Sequence, residues 1–220
     1  IKTYREALEK LGHEVFIIAP KKPGYDDEDD HIIRMMSIKN YVFEKKPTSV
    51  LYPGLAKKLD EYEFDIVHSQ MQFYLGVLAM NVAKRQQIPH FTTIHSLYTE
   101  MIDDYPLMIT SGLIAMSFGY PIMFRSRPIL PFKNRHEIRE LRQEDAKSVM
   151  KRQGWRLTSE FANRCDYCIA PSRHLSEILL EAGLTTPYSV FPNCIDTSRY
   201  AAATTDASPL TKKRGEKYIV

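Results

Sequence analysis

Residues 64–95 read FDIVHSQMQFYLGVLAMNVAKRQQIPHFTTIH, and the order of the apolar runs in this stretch indicates the fold class. Residues 64–68 predict a short strand, residues 73–87 predict an apolar helix, and residues 90–95 predict a second strand. Two strands joined through a helix form a parallel pair, because the helix carries the chain back to the same end of the sheet. The stretch therefore predicts one unit of a parallel α/β sheet.

The same order of elements recurs on both sides of this unit. Helices are predicted over residues 1–11 and 172–183, and strands over residues 13–19, 167–170 and 188–191. Ser172 is placed to cap the later helix. This alternation predicts an α/β fold with a doubly wound, Rossmann-like parallel sheet.

The composition excludes several classes of protein. The chain has 220 residues, of which 44% are apolar and 26% charged, and its net charge is +3. These values exclude a disordered or collagen-like chain, and so weak a positive charge does not indicate a nucleic-acid partner. Three cysteines are too few for a disulfide-rich secreted fold, which favours a reducing cytoplasm. Cys165 and Cys168 have redox-motif spacing, but the second lies in a predicted strand, so both are predicted to be structural.

The two ends of the chain suggest a fragment. The sequence begins inside a helical pattern and finishes on strand-forming residues, so we expect a fold truncated at both ends. We expect one domain over residues 1–200, a linker over residues 201–216, and the start of a second domain over residues 217–220.

An apolar stretch next to a basic one interrupts the alternation at about residues 105–135. Residues 105–124 carry no charge, but their prolines, glycines and hydroxyl groups make a poor membrane-spanning helix. Nine basic residues then stand against four acidic ones between residues 125 and 152. This combination predicts peripheral contact with an anionic membrane surface. The residues predicted to make it are Phe118, Tyr120, Phe124, Arg125, Arg127, Lys133 and Arg135. The alternative is a core helix followed by a solvated helix with internal ion pairs.

Candidate functional residues lie where the predicted strands end. In doubly wound sheets, ligands bind at the carboxyl ends of the strands. His95 ends one predicted strand and His68 ends its neighbour, and either imidazole can hydrogen-bond a sugar hydroxyl or a phosphate. Each is equally compatible with a structural histidine. The acidic run over residues 26–30 is predicted to be a solvated loop, because adjacent carboxylates cannot all face one cation.

Four phrases together resemble the N-terminal half of the retaining GT-B glycosyltransferases of family four. They cover residues 64–70, 93–96, 165–172 and 190–196, and the residues Gly12 to Val15 resemble the end of the family's first helix. Their order and spacing match the family over almost the whole chain.

This resemblance implies roles for individual residues. His95 is expected beside the transferred sugar and its leaving phosphate. The side chains expected on the acceptor side are Tyr98, Glu100, His68 and Gln70, and those expected at the cleft edge are Ser172, Asn193 and Asp196. The resemblance also implies that a C-terminal domain binds most of the nucleotide sugar and that neither a metal nor another cofactor is needed. The family usually has glycine where this chain has Cys194.

Residues 95–101, together with the apolar and basic insert, resemble bacterial diacylglycerol glucosyltransferases that make glycolipid anchors for lipoteichoic acid. This narrower resemblance implies transfer of glucose from UDP-glucose to diacylglycerol, with retention, by a cytoplasmic enzyme peripheral on the inner face of the membrane. The fragment alone is expected to be inactive. Two alternatives stand beside this hypothesis. One is a family-four enzyme with a soluble sugar or thiol acceptor, and the other is a non-catalytic domain that binds the membrane surface.

Overall fold

A computed structural model describes residues 1–22, 24, 27–40, 46–49, 54–95, 98–124, 129–130, 136–137, 144–195 and 197. The chain divides into two compact units. The terminal unit comprises Ile1–Val15 and Asn193–Val220, and the sheet unit comprises Phe16–Pro192. The predicted linker and the predicted start of a second domain, residues 201–220, lie outside the described residues.

In the terminal unit, helix α1 spans Lys2–Lys10. Arg5 and Glu9 form an ion pair one helical turn apart, with 2.6 Å between Nε and Oε1. Gly12 has φ +88°, a left-handed conformation that suits glycine just after a helix. The helix predicted over residues 1–11 is therefore confirmed.

The sheet unit contains parallel strands in two groups. Strands β1 (Ile17–Pro20) and β2 (Ile32–Met35) form one parallel pair. Strands β5 (Val67–Ser69), β6 (His90–Thr93), β7 (Tyr167–Ala170) and β8 (Tyr188–Val190) form a four-stranded parallel sheet in that order. In the sequence between these two groups, β3 (Ser37–Asn40) and β4 (Lys46–Ser49) form an antiparallel pair.

Helices connect the strands of the four-stranded sheet. Helix α2 (Tyr74–Gln86) joins β5 to β6, and α5 (Arg173–Glu181) joins β7 to β8. The connection from β6 to β7 is longer and contains a short 3₁₀ helix (Tyr98–Ile102), α3 (Pro106–Phe124) and α4 (Ala146–Ala162). A further 3₁₀ turn, Ala56–Leu59, precedes β5.

Helix α4 is the centre of the packing. On one side, Leu157 and Phe161 pack with Ile102 and Leu113, which joins α4 to the 3₁₀ helix and α3. On the other side, Trp155 packs in a second cluster with residues of β7 and α5 and with residues that follow β6 and α5. Its other buried members are Ile94, Ala162, Cys168, Leu175, Leu179 and Leu184. Burial of these apolar groups from water supplies the main stabilisation.

The parallel α/β fold predicted from the sequence is confirmed, with differences at the N-terminal strands. The strand predicted over residues 13–19 begins only at Ile17, because that is where pairing with β2 starts. Neither β2 nor the hairpin of β3 and β4 was predicted, because β2 directly follows an acidic segment that indicated a solvated loop. The predicted strands 64–68 and 90–95 are likewise shifted or shortened to Val67–Ser69 and His90–Thr93.

Most of the apolar stretch 105–124 forms a single helix, α3 (Pro106–Phe124), with Pro121 inside it. Across the described ranges, no helix has both the length and the hydropathy needed to cross a bilayer.

Two of the three cysteines are buried beside the sheet. Cys165 follows α4 and Cys168 lies in β7, whereas Cys194 is exposed, and none of the three forms a disulfide. Burial raises the pKa of Cys168 to about 12 and also raises the pKa of Cys165. The prediction that this pair is structural is confirmed, because a buried thiol that stays protonated is a poor nucleophile.

Candidate functional site

The carboxyl ends of β5 and β6 bring two histidines together with two polar partners. The ring Nε2 of His68 lies 2.7 Å from the hydroxyl Oγ1 of Thr93. The ring Nε2 of His95 lies 2.5 Å from the amide oxygen Oε1 of Gln70. Each bond joins a residue after or within β5 to one after or within β6. The parallel pairing of these strands therefore assembles the cluster at the edge where such sheets bind ligands.

Both histidines of this cluster favour the neutral state. Burial, with a smaller contribution from the neighbouring His95, lowers the pKa of His68 to about 4. Partial burial of the ring also lowers the pKa of His95, although the residue as a whole is exposed. At neutral pH the site therefore presents uncharged imidazoles, which bind through hydrogen bonds and not as cations.

A third histidine, His90, lies beneath the cluster at the start of β6. Its Nε2 is 2.9 Å from the hydroxyl of Ser69, which in turn donates to the hydroxyl of Thr92 at 2.9 Å. All three side chains are buried, and burial lowers the pKa of His90 to about 4. This network was not predicted from the sequence. The signal was present as polar residues at core positions of the predicted strand 90–95 and, at Ser69, directly after the predicted strand 64–68.

Acid is expected to destabilise the sheet through His68 and His90. Both are neutral in the fold, with a pKa of about 4 against 6.5 when unfolded, so the unfolded chain binds more protons as the pH falls below 6.5. The free energy of unfolding is therefore highest above pH 6.5 and falls progressively towards pH 4. Each histidine should lower the free energy of unfolding by about 2 kcal/mol between pH 7.5 and pH 4.5.

Urea unfolding at these two pH values tests this expectation in the wild type and in His90→Gln. The variant should lose about 2 kcal/mol less than the wild type over the interval, because one titrating group is gone. Equal losses would show that His90 does not titrate in this way.

Tyr98 lies in the core, which corrects its expected placement on the acceptor side. Its side chain is 7% exposed, and its hydroxyl donates to the carbonyl oxygen of Gly154 at 3.1 Å and accepts from Thr158 at 3.2 Å. Burial raises the pKa of Tyr98 to about 12. Tyr98 therefore anchors the 3₁₀ helix that follows His95 onto α4.

Glu100 is held at the surface of the same 3₁₀ helix. Its carboxylate accepts from the indole Nε1 of Trp155 at 3.1 Å and pairs with Lys151 at 2.8 Å. Lys151 also pairs with Asp103 at 3.0 Å. These contacts fix the orientation of the carboxylate, and its role towards an acceptor stays a prediction.

The residues predicted at the cleft edge are described in part. Ser172 caps α5 as predicted, since its hydroxyl accepts from the backbone N–H of Leu175 at 3.2 Å. Asn193 is exposed just after the last strand, and Asp196 lies outside the described residues.

Comparison with known proteins places the chain in a family. The model of the family described as Glycosyltransferase Family 4 matches residues 1–199. The chain belongs to glycosyltransferase family 4. This membership confirms the resemblance seen in the sequence and accounts for the parallel α/β fold.

Two relatives of this family 4 chain are named alpha-monoglucosyldiacylglycerol synthase. The one from Streptococcus pneumoniae is 35% identical over 118 residues, which cover 52% of this chain and 25% of the relative. The one from Acholeplasma laidlawii is 23% identical over 199 residues, covering 87% and 41% respectively. A GDP-mannose-dependent alpha-mannosyltransferase from Corynebacterium glutamicum is 30% identical over 89 residues, covering 38% and 22%. The chain thus spans less than half the length of each relative.

Helix α3 gives this family 4 chain an exposed apolar face. Leu107, Phe118 and Ile122 are 85%, 67% and 78% exposed, and Ile114 lies on the same side of the helix. Tyr120 points the other way. It is 3% exposed and donates to the carbonyl oxygen of Gln72 at 2.5 Å, which corrects its predicted place on the membrane surface.

The other residues predicted to contact the membrane are outside the described structure. For Phe124 only the backbone, at the end of α3, is described. Arg125, Arg127, Lys133 and Arg135 lie in ranges that the structure does not describe.

Four described basic residues beyond α3 are paired with acids. Lys147 and Lys151 both contact Asp103, Arg152 contacts Glu144, and Arg156 lies 3.3 Å from Glu137. The charge of this part of the predicted basic surface is therefore largely compensated. It does not match the alternative of a solvated helix with internal ion pairs, because one face of α4 is buried and the acidic partners lie outside the helix. In the described ranges of this family 4 chain, no three His, Cys, Asp or Glu side chains converge as metal ligands.

Proposed function

We propose that the full-length protein is a retaining glycosyltransferase that transfers glucose from UDP-glucose to diacylglycerol. The similarity to two proteins named alpha-monoglucosyldiacylglycerol synthase carries this proposal. In it, this chain supplies the acceptor side and His95, a second domain binds most of the nucleotide sugar, and no metal takes part. The reaction belongs to glycolipid synthesis.

The apolar face of α3 supports a lipid acceptor. Diacylglycerol lies in the membrane, so an enzyme that glucosylates it must approach the interface. Leu107, Phe118 and Ile122 are exposed large apolar side chains on one helix, an arrangement suited to insertion between lipid headgroups. The basic residues between positions 125 and 135, which follow α3 in the sequence, would add attraction to anionic lipid. We therefore propose peripheral attachment to the inner face of the membrane.

Sugar transfer by the full-length protein tests the proposal directly. The protein is incubated with labelled UDP-glucose or GDP-mannose and with vesicles containing or lacking diacylglycerol, with and without EDTA. Glucosyl-diacylglycerol formed from UDP-glucose, unaffected by EDTA, is the expected result. Transfer only to soluble sugars or thiols would overturn the proposed acceptor. Transfer from GDP-mannose and not from UDP-glucose would overturn the proposed donor. GDP-mannose is included as a donor because one relative is named a GDP-mannose-dependent alpha-mannosyltransferase.

Charge on the exposed face of α3 is expected to weaken membrane binding. In flotation with phosphatidylcholine vesicles containing phosphatidylglycerol, the variant Phe118→Asp/Ile122→Asp should bind at least about tenfold less, because two apolar side chains no longer enter the lipid. Wild-type binding should also fall at high salt.

A matched control separates α3 from general surface effects. Ile66 is another exposed apolar residue, 49% exposed and outside α3, so Ile66→Asp should bind vesicles like the wild type. Equal binding by the α3 double variant and the wild type would remove α3 from the proposed membrane surface.

A further inference from the structure

Gln70 is the one residue that holds the His95 ring by a hydrogen bond described in the structure. The Gln70 amide oxygen can only accept, and it lies 2.5 Å from the ring Nε2, so Nε2 must carry the hydrogen. In a neutral imidazole the other nitrogen, Nδ1, then has a lone pair and no hydrogen. Burial lowers the pKa of His95, which supports the neutral form.

The strand geometry fixes the position of Gln70 itself. Gln70 directly follows β5 and His95 lies two residues after β6, and the two strands are hydrogen-bonded neighbours. The adjacent bond between His68 and Thr93 joins the same two strand ends. Two side-chain hydrogen bonds thus link the carboxyl ends of β5 and β6. Rotation of the His95 ring would break one of them.

We infer that Gln70 is a positioning residue, which acts through His95 and not by contact with the acceptor, and that it leaves His95 Nδ1 as a hydrogen-bond acceptor facing the substrate. This rests on the proposed function of the site. An Nδ1 lone pair can accept from a sugar hydroxyl but cannot donate to a phosphate oxygen. Recognition by His95 is therefore directed at a hydroxyl group of the donor or acceptor.

A double-mutant cycle in the full-length enzyme tests whether Gln70 acts through His95. Gln70→Leu removes the acceptor with little change in volume and should lower kcat about tenfold, the loss of one positioned hydrogen bond, with little change in KM. Gln70→Glu keeps an acceptor oxygen and should restore most of the rate at alkaline pH, where the imidazole stays neutral beside the carboxylate. In the His95→Ala background, Gln70→Leu should change kcat less than about twofold. A tenfold loss in both backgrounds would place Gln70 on the acceptor and overturn the inference.

A spectroscopic measurement keeps this test independent of the substrate. In full-length protein carrying ¹⁵N only in histidine, the Nε2–H of His95 should be visible because the hydrogen bond slows its exchange with water. The signal is assigned by its absence in His95→Ala. It should vanish in Gln70→Leu and persist in Gln70→Glu. A signal unaffected by Gln70→Leu would overturn the inference, whereas inactivity towards diacylglycerol with the expected spectra would count against the proposed function only.

Discussion

Replacing His95 by alanine in the full-length enzyme is expected to lower kcat/KM by about 100-fold or more. His95 stands at the carboxyl end of β6, where its ring is oriented by Gln70 and its pKa is lowered by burial. Loss of one oriented polar group at a reacting centre has an effect of this size, because the partner group is left without stabilisation in the transition state. The measurement is the initial rate of sugar transfer over a range of donor concentrations.

A second histidine provides the control for this experiment. His13 is exposed in the terminal unit and has no assigned role, so His13→Ala should retain the wild-type rate. A His95→Ala enzyme as active as His13→Ala would favour the alternative in which the chain is a non-catalytic membrane-binding domain. Circular dichroism of both variants shows whether the fold is intact.

Replacing Gly154 by alanine is expected to lower the free energy of unfolding by about 3 kcal/mol, the upper part of the range for overpacked cores. A Cβ at this position in α4 would lie 2.0 Å from Cγ2 of Thr99 and 3.1 Å from Cδ2 of Leu113. Both neighbours are almost fully buried, so neither has space to move into. Either α4 must separate from the 3₁₀ helix or the bond from Tyr98 to the Gly154 carbonyl must be lost.

The matched control is Gly112→Ala in α3. Gly112 is also helical, but no atom lies within 4 Å of a Cβ placed there. Alanine is the better helix former by about 1 kcal/mol, so Gly112→Ala should leave stability unchanged or raise it. Urea unfolding of both variants gives the comparison. A Gly154→Ala protein as stable as Gly112→Ala would show that α4 and the 3₁₀ helix are packed less closely than described.

The parallel sheet could be predicted because short segments rich in β-branched and aromatic residues alternate with helical patterns. The hairpin β3 and β4 could not, because its strands, Ser37–Asn40 and Lys46–Ser49, carry no strong apolar alternation. Similarly, the start of β1 at Ile17 is set by pairing with β2, although the apolar run begins earlier.

The candidate site was predictable as a group but not in its internal bonds. His68 lies in β5, and Gln70 and His95 follow the neighbouring parallel strands β5 and β6, so their meeting at one edge follows from topology. Which of them bond each other depends on side-chain geometry, which sequence spacing does not specify. Tyr98 was misplaced for a different reason. Its partner Gly154 lies more than fifty residues away in the chain, and only tertiary packing turns the tyrosine inward.

The three cysteines of these 220 residues differ sharply in accessibility. Cys165 and Cys168 are shielded and protonated, while Cys194 is exposed. Among these three thiols, a maleimide fluorophore should therefore attach at position 194. Because that position directly follows Asn193, which was predicted at the edge of the cleft, the dye would report on substrate-dependent changes there by a shift in emission or anisotropy.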